Sequence, residues 1–414
     1  MIPGPGPHPG TALIDITEGD DWTPWVLTTA QVDTVRSKPK LVEIRPAGGN
    51  RWDIRARRTI GAVHLGTGAA SVQLRIAPKM PIDRLLYLLT YTPALGTWQP
   101  NLVDAAAREG LFPAVAYRFA TAAEHALRPG VLTGYQYIET TSMELRGRLR
   151  TGAQLRRRPG QALPLEIGYH ERTHDIADNQ LLRTAVRRLA AIPFDLGPGL
   201  RRRLRSLDVQ LDGVSVLRSN SSRPEWKRTR LNVRYTHAIR LAELILDGCS
   251  FEYDHGHGIS RVLAEGLLVR MEDVFEHFLV AALGAHFTRL VGGVAQAHPR
   301  THYLDEQRRH PIYPDLVHLL PSDTGVPAPA IVVDAKYQYG LTTSNLYQML
   351  AYCNRFGLNE GHLVCLGESD DVPTRVGSVL IHRHALDISL PAADLAQRLQ
   401  QLSQNILNSR TSGS

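Results

Sequence analysis

The chain has 414 residues, of which 43% are hydrophobic, and its formal net charge is +7. This length is typical of two or three domains with full cores, and the basic balance suits a polyanionic partner. No apolar run approaches the ~18 residues that span a bilayer, and the opening MIPGPGPHPG lacks the charged and apolar regions of a signal peptide. We therefore expect a soluble, cytoplasmic protein that has no membrane partner.

The first 150 residues carry short β-like runs at 13–16, 41–44 and 72–76, broken by glycine and proline. Helical patterns follow at 81–92 and 101–127, and a hairpin-like stretch covers 131–150. We predict a mixed β/α domain over residues 11–150, which carries no recognisable catalytic set and is therefore interpreted as a partner-docking domain.

Residues 151–250 are predicted to form a helical, arginine-rich connecting region. Helices are expected near 178–191 and 234–247. Arginine clusters lie in and just before this region, at 146, 148 and 150, at 156–158, and at 201–203 with 205. They could bind DNA phosphates or an acidic protein partner, and a solvated face is the ordinary alternative.

Gly256-His257-Gly258 indicates a domain boundary, and residues 258–408 form the third predicted domain. It opens with an amphipathic helix predicted over 267–290. Glu276 lies off the apolar stripe of this helix and is the first choice for an acid that reaches a site on a neighbouring sheet. An ordinary solvated glutamate is the alternative.

The most informative feature is Pro314-Asp315 followed by Asp334-Ala335-Lys336 at the end of an apolar run. Side chains at i and i+2 of a strand point to the same side, so Asp334 and Lys336 project together. Asp315, on a neighbouring strand, can converge on the same point. Two carboxylates, the Ala335 carbonyl and an acid from the helix form an oxygen-only site, which suits Mg²⁺, with Mn²⁺ as the alternative.

Lys336 is unusual for this composition. The chain has five lysines, so its 47 basic residues include 47 − 5 = 42 arginines. Arginine cannot give up its proton, whereas a buried lysine shifts its pKa readily. Lys336 is therefore predicted to orient or deprotonate a water, or to offset charge on a phosphate. Either motif alone is more often a turn or a solvated strand end.

A helix is predicted after Lys336, from the N-cap-rich run 342–345 to Gly357. Gln348 and Tyr352 lie four apart on one side of it. They could hydrogen-bond a phosphate or a metal-bound water, or they could be a polar pair at the edge of a packed helix. Strands at 362–366 and 379–384 and a last helix over about 391–407 complete the predicted α/β domain.

Other motifs indicate no competing chemistry. The three cysteines lie far apart without a C-x-x-C pair, and the histidine pairs 170/174 and 255/257 lack the partners of a zinc site. No G-x-x-x-x-G-K-[ST] occurs, so the chain cannot build a P-loop. Any nucleotide-driven movement must come from a partner.

The set Glu276, Asp315, Asp334 and Lys336, with Gln348 and Tyr352, resembles PD-(D/E)xK nucleases, the branch that includes RecB-type enzymes. A narrower resemblance is to the McrC family, the nuclease subunit of modification-dependent McrBC restriction systems. It runs from about 75 to 366 and is carried by Pro78-Lys79-Met80 before IDRLLYLLTY, Gly134-Tyr135, ELRGR at 144–148, His174-Asp175, NQLL at 179–182, VFE at 274–276, DAKY at 334–337 and LYQMLAY at 346–352.

The resemblance implies a restriction-endonuclease-like domain, in which a mixed central sheet is flanked by helices, after a β-rich mixed N-terminal region. It also implies Mg²⁺-dependent cleavage of double-stranded, modified DNA. The implied partner is an oligomeric AAA+ GTPase, McrB, which reads the modified base and is stimulated by the N-terminal part of McrC. A stand-alone RecB-like repair nuclease and a non-catalytic activator of an AAA+ NTPase are the alternatives, and the intact acid-acid-lysine set argues against the second.

Overall fold

A computed structural model gives the fold of this protein. It describes residues 11–19, 21–91, 111–191, 196–218, 223–224, 226–248, 265–322, 325–369 and 372–411. The chain forms two compact units: Met1–Ala114 together with His257–Ser414, and Val115–Gly256. The first unit is therefore built from the two ends of the chain.

A four-stranded sheet in the first unit contains β1 (Ala12–Thr17), β5 (Thr59–Leu65), β6 (Val72–Ala77) and β10 (Glu265–Arg270), in the order β1-β6-β5-β10. Alternate residues of β1 and β6 are buried, as expected of strands with one face in a core. β10 pairs antiparallel with β5 although some 200 residues of sequence separate them. Strands from the N-terminal part of the chain and a strand that begins at Glu265 thus form one sheet.

A three-stranded antiparallel sheet of β2 (Thr23–Val26), β4 (Arg51–Ala56) and β3 (Val42–Gly48) shares its core with that sheet. Helix α1 (Thr29–Arg36) packs beside it. α1 begins at a capping box, in which Thr28 and Gln31 satisfy each other's backbone N–H groups. The shared core contains Ile14, Ile54, Val63, Leu74 and Leu268.

The largest sheet is six-stranded and mixed, in the order β11-β12-β13-β14-β16-β15. β13 and β14 are parallel, as are β14 and β16, whereas the other neighbours are antiparallel. The strands are β11 (Val294–Ala297), β12 (Leu316–Leu320), β13 (Ala328–Tyr339), β14 (Glu360–Leu366), β15 (Thr374–Val376) and β16 (Val379–Leu386).

Helices cover both faces of this sheet. On one face, α8 (Met271–Val291) packs on β11, β12 and β13 and against both α2 (Ile82–Thr90) and α10 (Ala392–Thr411). On the other, α9 (Thr343–Phe356) buries Met349, Tyr352 and Cys353 against Val332 and Leu363. The α/β class expected from the sequence is confirmed.

Within the described residues, the second unit holds most of α3 (Leu111–Leu127), a small sheet and four further α-helices. The sheet is β7 (Gly134–Ser142), β9 (Leu165–Thr173) and β8 (Arg148–Leu149), and the helices are α4 (Thr151–Arg157), α5 (Ala177–Ala191), α6 (Gly197–Gln210) and α7 (Thr236–Gly248). Several members of the arginine clusters are engaged within this unit: Arg150 pairs with Glu139, Arg157 and Arg158 pair with Glu166, and Arg203 pairs with Glu124.

Two sequence predictions need correction. The helix predicted over 267–290 begins at Met271, because 265–270 pair with β5 as a strand. The hairpin predicted over 131–150 does not form, since β7 and β8 each pair with β9. The domain bounds 11–150, 151–250 and 258–408 stay a prediction, and the N-terminal strands share a sheet and a core with β10.

Some sequence features lie outside the described residues. They are residues 101–110 of a predicted helix, Cys249, the histidine pair 255/257 and the boundary at 256–258.

Within the described ranges, α8 is the one helix long and apolar enough to cross a membrane by length and composition. Half of its most apolar stretch is buried inside the protein, and Phe275, Phe278 and Phe287 are enclosed in the core. A helix that lies in a protein core can have the same length and apolar composition. These two properties therefore do not show that α8 crosses a membrane.

Candidate active site

The antiparallel register of β12 and β13 brings two of the predicted acids together. Leu316 lies opposite Val333, so Asp315, which directly precedes β12, lies beside Asp334. The Asp315 carboxylate accepts a hydrogen bond from the Ala335 N–H at 2.7 Å. The acid and the Asp-x-Lys motif therefore meet at one place on the sheet.

Asp334 is 1% exposed and forms an ion pair with the Lys336 ammonium group. Its Oδ2 is buried, and apart from that ammonium group no donor among the described residues is positioned to satisfy it. A buried carboxylate oxygen with an unmet acceptor site is costly, and it is the kind of atom that a cation would satisfy.

Glu276 reaches the same place from α8. A carboxylate oxygen of Glu276, one of Asp315 and a ring nitrogen of His298 all lie within 4.8 Å of one another. Burial, and next the Asp273 carboxylate, raise the pKa of Glu276 to about 7. The structure thus brings together Glu276, Asp315, Asp334 and Lys336, the three acids and the lysine of the predicted site.

The three carboxylates resist ionisation together. Burial and then the Glu276 charge raise the pKa of Asp315 to about 6. Burial and then the Asp315 charge raise the pKa of Asp334 to about 7. Oxygen ligands that repel one another in a buried place fit a divalent cation, which would neutralise them. The donor set therefore fits Mg²⁺ or Mn²⁺.

Lys336 is held as an ammonium ion. Burial alone would lower its pKa, but the Asp334 carboxylate, followed by those of Asp315 and Glu276, raises the pKa above its ordinary value. Of the roles predicted from the sequence, this environment favours orienting a water or offsetting negative charge over removing a proton. Ala335 turns its side chain into the core, 1% exposed. Its N–H is engaged by Asp315, and its carbonyl as a ligand stays a prediction.

Gln348 and Tyr352 contact each other on α9, as their spacing predicted. The Gln348 side-chain amide donates to the Tyr352 hydroxyl at 2.9 Å, and that hydroxyl donates to the Tyr313 carbonyl at 3.0 Å. Tyr352 is 3% exposed. Since Tyr313 lies two residues before Asp315, the pair anchors the segment that leads into the acid. This contact matches the structural alternative, and a direct contact with phosphate stays a prediction.

Sequence reasoning missed His298. Ala297 pairs with Leu316 at the end of β11, and the His298 N–H donates to the Asp315 carbonyl at 2.8 Å. The imidazole Nδ1 lies 3.8 Å from Asp315 Oδ1, and the backbone adopts the left-handed region with φ 44°. No local pattern marks this histidine, because the pairing of β11 with β12 alone brings it to the acid.

Sequence reasoning also missed the contacts that join the N-terminal strands to the residues beside the site. The Tyr337 hydroxyl donates to the buried Glu18 carboxylate at 3.2 Å. Arg58 pairs with Glu272 at 2.9 Å, and the Met271 N–H donates to the Arg58 carbonyl at 3.0 Å. Tyr337 directly follows Lys336, and Glu272 lies one helical turn before Glu276.

This chain matches one family model and is similar in fold to a chain of a solved structure. Residues 54–365 match the family described as McrBC 5-methylcytosine restriction system component. The fold is similar to a chain of the Thermococcus gammatolerans half-complex of McrB AAA+ hexamers with bound McrC, with a TM-score of 0.50, 19% identity, and 90% of this chain and 87% of that chain covered. A chain of the Thermococcus gammatolerans McrBC complex matches with a TM-score of 0.38 and 18% identity over 67% of this chain and 88% of that chain. No curated protein sequence matches.

Proposed function

The chain belongs to the McrBC 5-methylcytosine restriction system component family, and from this premise we propose that it is the Mg²⁺-dependent, DNA-cleaving subunit of a modification-dependent restriction complex. It would act on double-stranded, modified DNA together with an AAA+ GTPase. The six-stranded mixed sheet, with α8 before it and α9 after β13, would be its PD-(D/E)xK nuclease core.

One observation carries this proposal: Glu276, Asp315, Asp334 and Lys336, drawn from one helix and two adjacent strands, meet at one buried place. Three carboxylates with raised pKa values beside an ammonium group are costly to assemble for stability alone. Perturbed groups of this kind cluster at functional sites. Phosphodiester hydrolysis needs both parts of the set, since acids hold a cation and a fixed positive charge faces the reacting phosphate.

Each residue has a distinct proposed role. Glu276, Asp315, Asp334 and the Ala335 carbonyl would hold the cation, which when bound polarises the phosphate and lowers the pKa of a water. Lys336 would keep its ammonium group beside Asp334 and face the negative charge that develops on the phosphate. Asp315 is fixed for this task by the Ala335 N–H at 2.7 Å.

Gln348 and Tyr352 would act through the backbone. Their hydrogen bonds to each other and to the Tyr313 carbonyl restrict the segment that positions Asp315. They are positioning residues in this proposal.

The partner is proposed on two grounds. The solved Thermococcus gammatolerans half-complex is described as McrB AAA+ hexamers with bound McrC, and this chain has no P-loop of its own. An NTPase partner would supply the nucleotide-driven movement. The net charge of +7 suits DNA as the substrate.

The test is a cleavage assay with the full chain, an AAA+ GTPase partner encoded in the same genome, GTP and Mg²⁺, on methylated and unmethylated DNA. Cleavage of methylated DNA that needs all three additions, and that Asp334→Asn abolishes, supports the proposal. Asp33→Asn, which removes an exposed carboxylate of α1, is the matched control and should cut normally. Cleavage by the chain with Mg²⁺ alone would favour a stand-alone nuclease, and full activity in Asp334→Asn would refute the assigned site.

A further inference from the structure

The cation centre has a nitrogen donor at its edge. We propose that His298 supplies a ring nitrogen to the cation held by Glu276 and Asp315, so that the centre prefers Mn²⁺ to Mg²⁺. This inference rests on the proposed function, because it concerns the same centre. His298 lies outside the acid-acid-lysine motif, so this inference adds one ligand to those that the motif supplies.

The distances suit a shared cation. The donor atoms of Glu276, His298 and Asp315 lie within 4.8 Å of one another, and the Nδ1 of His298 is 3.8 Å from Asp315 Oδ1. Ligands about 2.1 Å from one cation lie roughly 3–4.2 Å apart. A small adjustment of side chains would therefore close all three on one ion.

Asp315 has the right oxygen to share. Its Oδ2 accepts from the Ala335 N–H at 2.7 Å, whereas its Oδ1 is the atom nearest the His298 ring. The side of Asp315 that faces the histidine is thus the side that is not held by the backbone.

The backbone fixes His298 at this point. Ala297 pairs with Leu316, and the hydrogen bond from the His298 N–H to the Asp315 carbonyl extends the ladder by one residue. The histidine and the acid are therefore direct neighbours on adjacent strands, independent of side-chain rotamers.

A second observation also points to a ligand here. The Asp334 side chain is 2% exposed, and apart from the Lys336 ammonium group no donor within the described residues satisfies its buried Oδ2. The centre thus contains, beside the triad, a third buried carboxylate whose Oδ2 meets only an ammonium group among the described residues. Acids alone would not distinguish a cation site from a cluster of charges.

The mixed donor set determines the metal preference. Mg²⁺ demands oxygen ligands in near-ideal octahedral geometry and keeps its waters, whereas imidazole suits transition ions and carboxylates suit Mn²⁺. Of Mg²⁺ and Mn²⁺, the two ions that the acids fit, Mn²⁺ is the transition ion and therefore the one that gains from a nitrogen ligand.

The experiment loads the full chain with Mn²⁺ alone and records pulsed EPR, in which directly bound imidazole gives a ¹⁴N modulation of the electron spin echo. We expect the modulation in the wild type, its loss in His298→Ala, and Mn²⁺ affinity weaker by at least about tenfold. Mg²⁺ affinity, measured by competition, should change less. His298→Gln gives the same readout if the alanine variant does not fold.

His277→Ala is the matched control. This histidine is exposed on α8 with its ring centroid 4.9 Å from that of His298, and its Nδ1 lies 2.6 Å from the carbonyl of Asp273 in its own helix. The control variant should keep the ¹⁴N signal.

The outcomes separate the two proposals. Bound Mn²⁺ without a ¹⁴N signal, or a signal that survives in both His298 variants, overturns this inference and leaves the nuclease assignment intact. A chain that binds neither Mn²⁺ nor Mg²⁺ and does not cut DNA with its partner overturns the proposed function itself.

Discussion

Replacing Glu18 by glutamine should change how stability depends on pH. Glu18 is 3% exposed and accepts a hydrogen bond from the Tyr337 hydroxyl. Burial raises its pKa from an ordinary 4.5 to about 7, although Tyr337 and Lys79 partly oppose the rise. A carboxyl whose pKa is raised on folding stabilises the native state below its unfolded pKa, and that stability is lost as pH rises through the folded pKa.

The size of the effect follows from the two pKa values. Each pKa unit corresponds to about 1.4 kcal/mol, so keeping Glu18 ionised costs the native state about 3 kcal/mol above neutral pH. Most of this cost develops between about pH 5 and about pH 8.5. Glutamine keeps an acceptor for Tyr337. Its amide donors would be left unsatisfied at a cost of about 1 kcal/mol or more, but that cost is the same at every pH.

The quantity to measure is therefore how the difference in unfolding free energy between the variant and the wild type changes with pH. Urea unfolding of the wild type and of Glu18→Gln, in EDTA at about pH 5 and about pH 8.5, should show the variant gaining about 2–3 kcal/mol on the wild type as pH rises. Glu306→Gln, an exposed glutamate, should show no such gain. An equal stability difference at both pH values would mean that Glu18 titrates normally, and the buried-charge argument would fail.

Three further predictions concern the site and its support. Lys336→Ala should lower DNA cleavage by at least about a hundredfold, because it removes a charge needed in the transition state, while stimulation of the partner's GTP hydrolysis stays near wild type; unchanged cleavage would make the lysine structural. Because the pKa of Glu276 is raised to about 7, protons compete with the cation for this carboxylate. The Mg²⁺ affinity measured by calorimetry should therefore rise between about pH 6 and about pH 8, and it should rise less in Glu276→Gln. An affinity of the wild type that does not change with pH would contradict this. Deleting residues 1–240 removes β5, the partner of β10, so the remaining chain should lack a cooperative thermal transition by circular dichroism, and a sharp transition would restore the view of an independent nuclease domain.

The helix α9 shows what local sequence determines. Thr342 and Asn345 form the capping box at its start, and Gly357 ends it in the left-handed conformation with φ 67°. Both signals lie within a few residues of the positions that they control. The strand alternation that puts Asp334 and Lys336 on one side is equally local. The core of the candidate site was therefore predictable from the sequence.

Long-range pairing decided the features that could not be predicted. The apolar residues 267–269 fit a helix as well as a strand, and their pairing with β5 selects the strand. Glu18 and Tyr337 are 319 positions apart, and nothing near either residue marks the contact. His298 reaches Asp315 through the ladder between β11 and β12. These features depend on the order of strands in a sheet, which a single sequence does not fix.

The N-terminal strands therefore have a structural role in the site, whatever partner they bind. Glu18 accepts a hydrogen bond from Tyr337, the residue after Lys336 on β13. Arg58 holds Met271 and Glu272 at the start of α8, one turn before Glu276. Glu18 forms a β-bridge with Ala56, two residues before Arg58, so the two contacts attach β13 and α8 to neighbouring parts of the N-terminal strands. We therefore expect a displacement of these strands to reach both elements, because packed interiors have low compressibility and transmit strain.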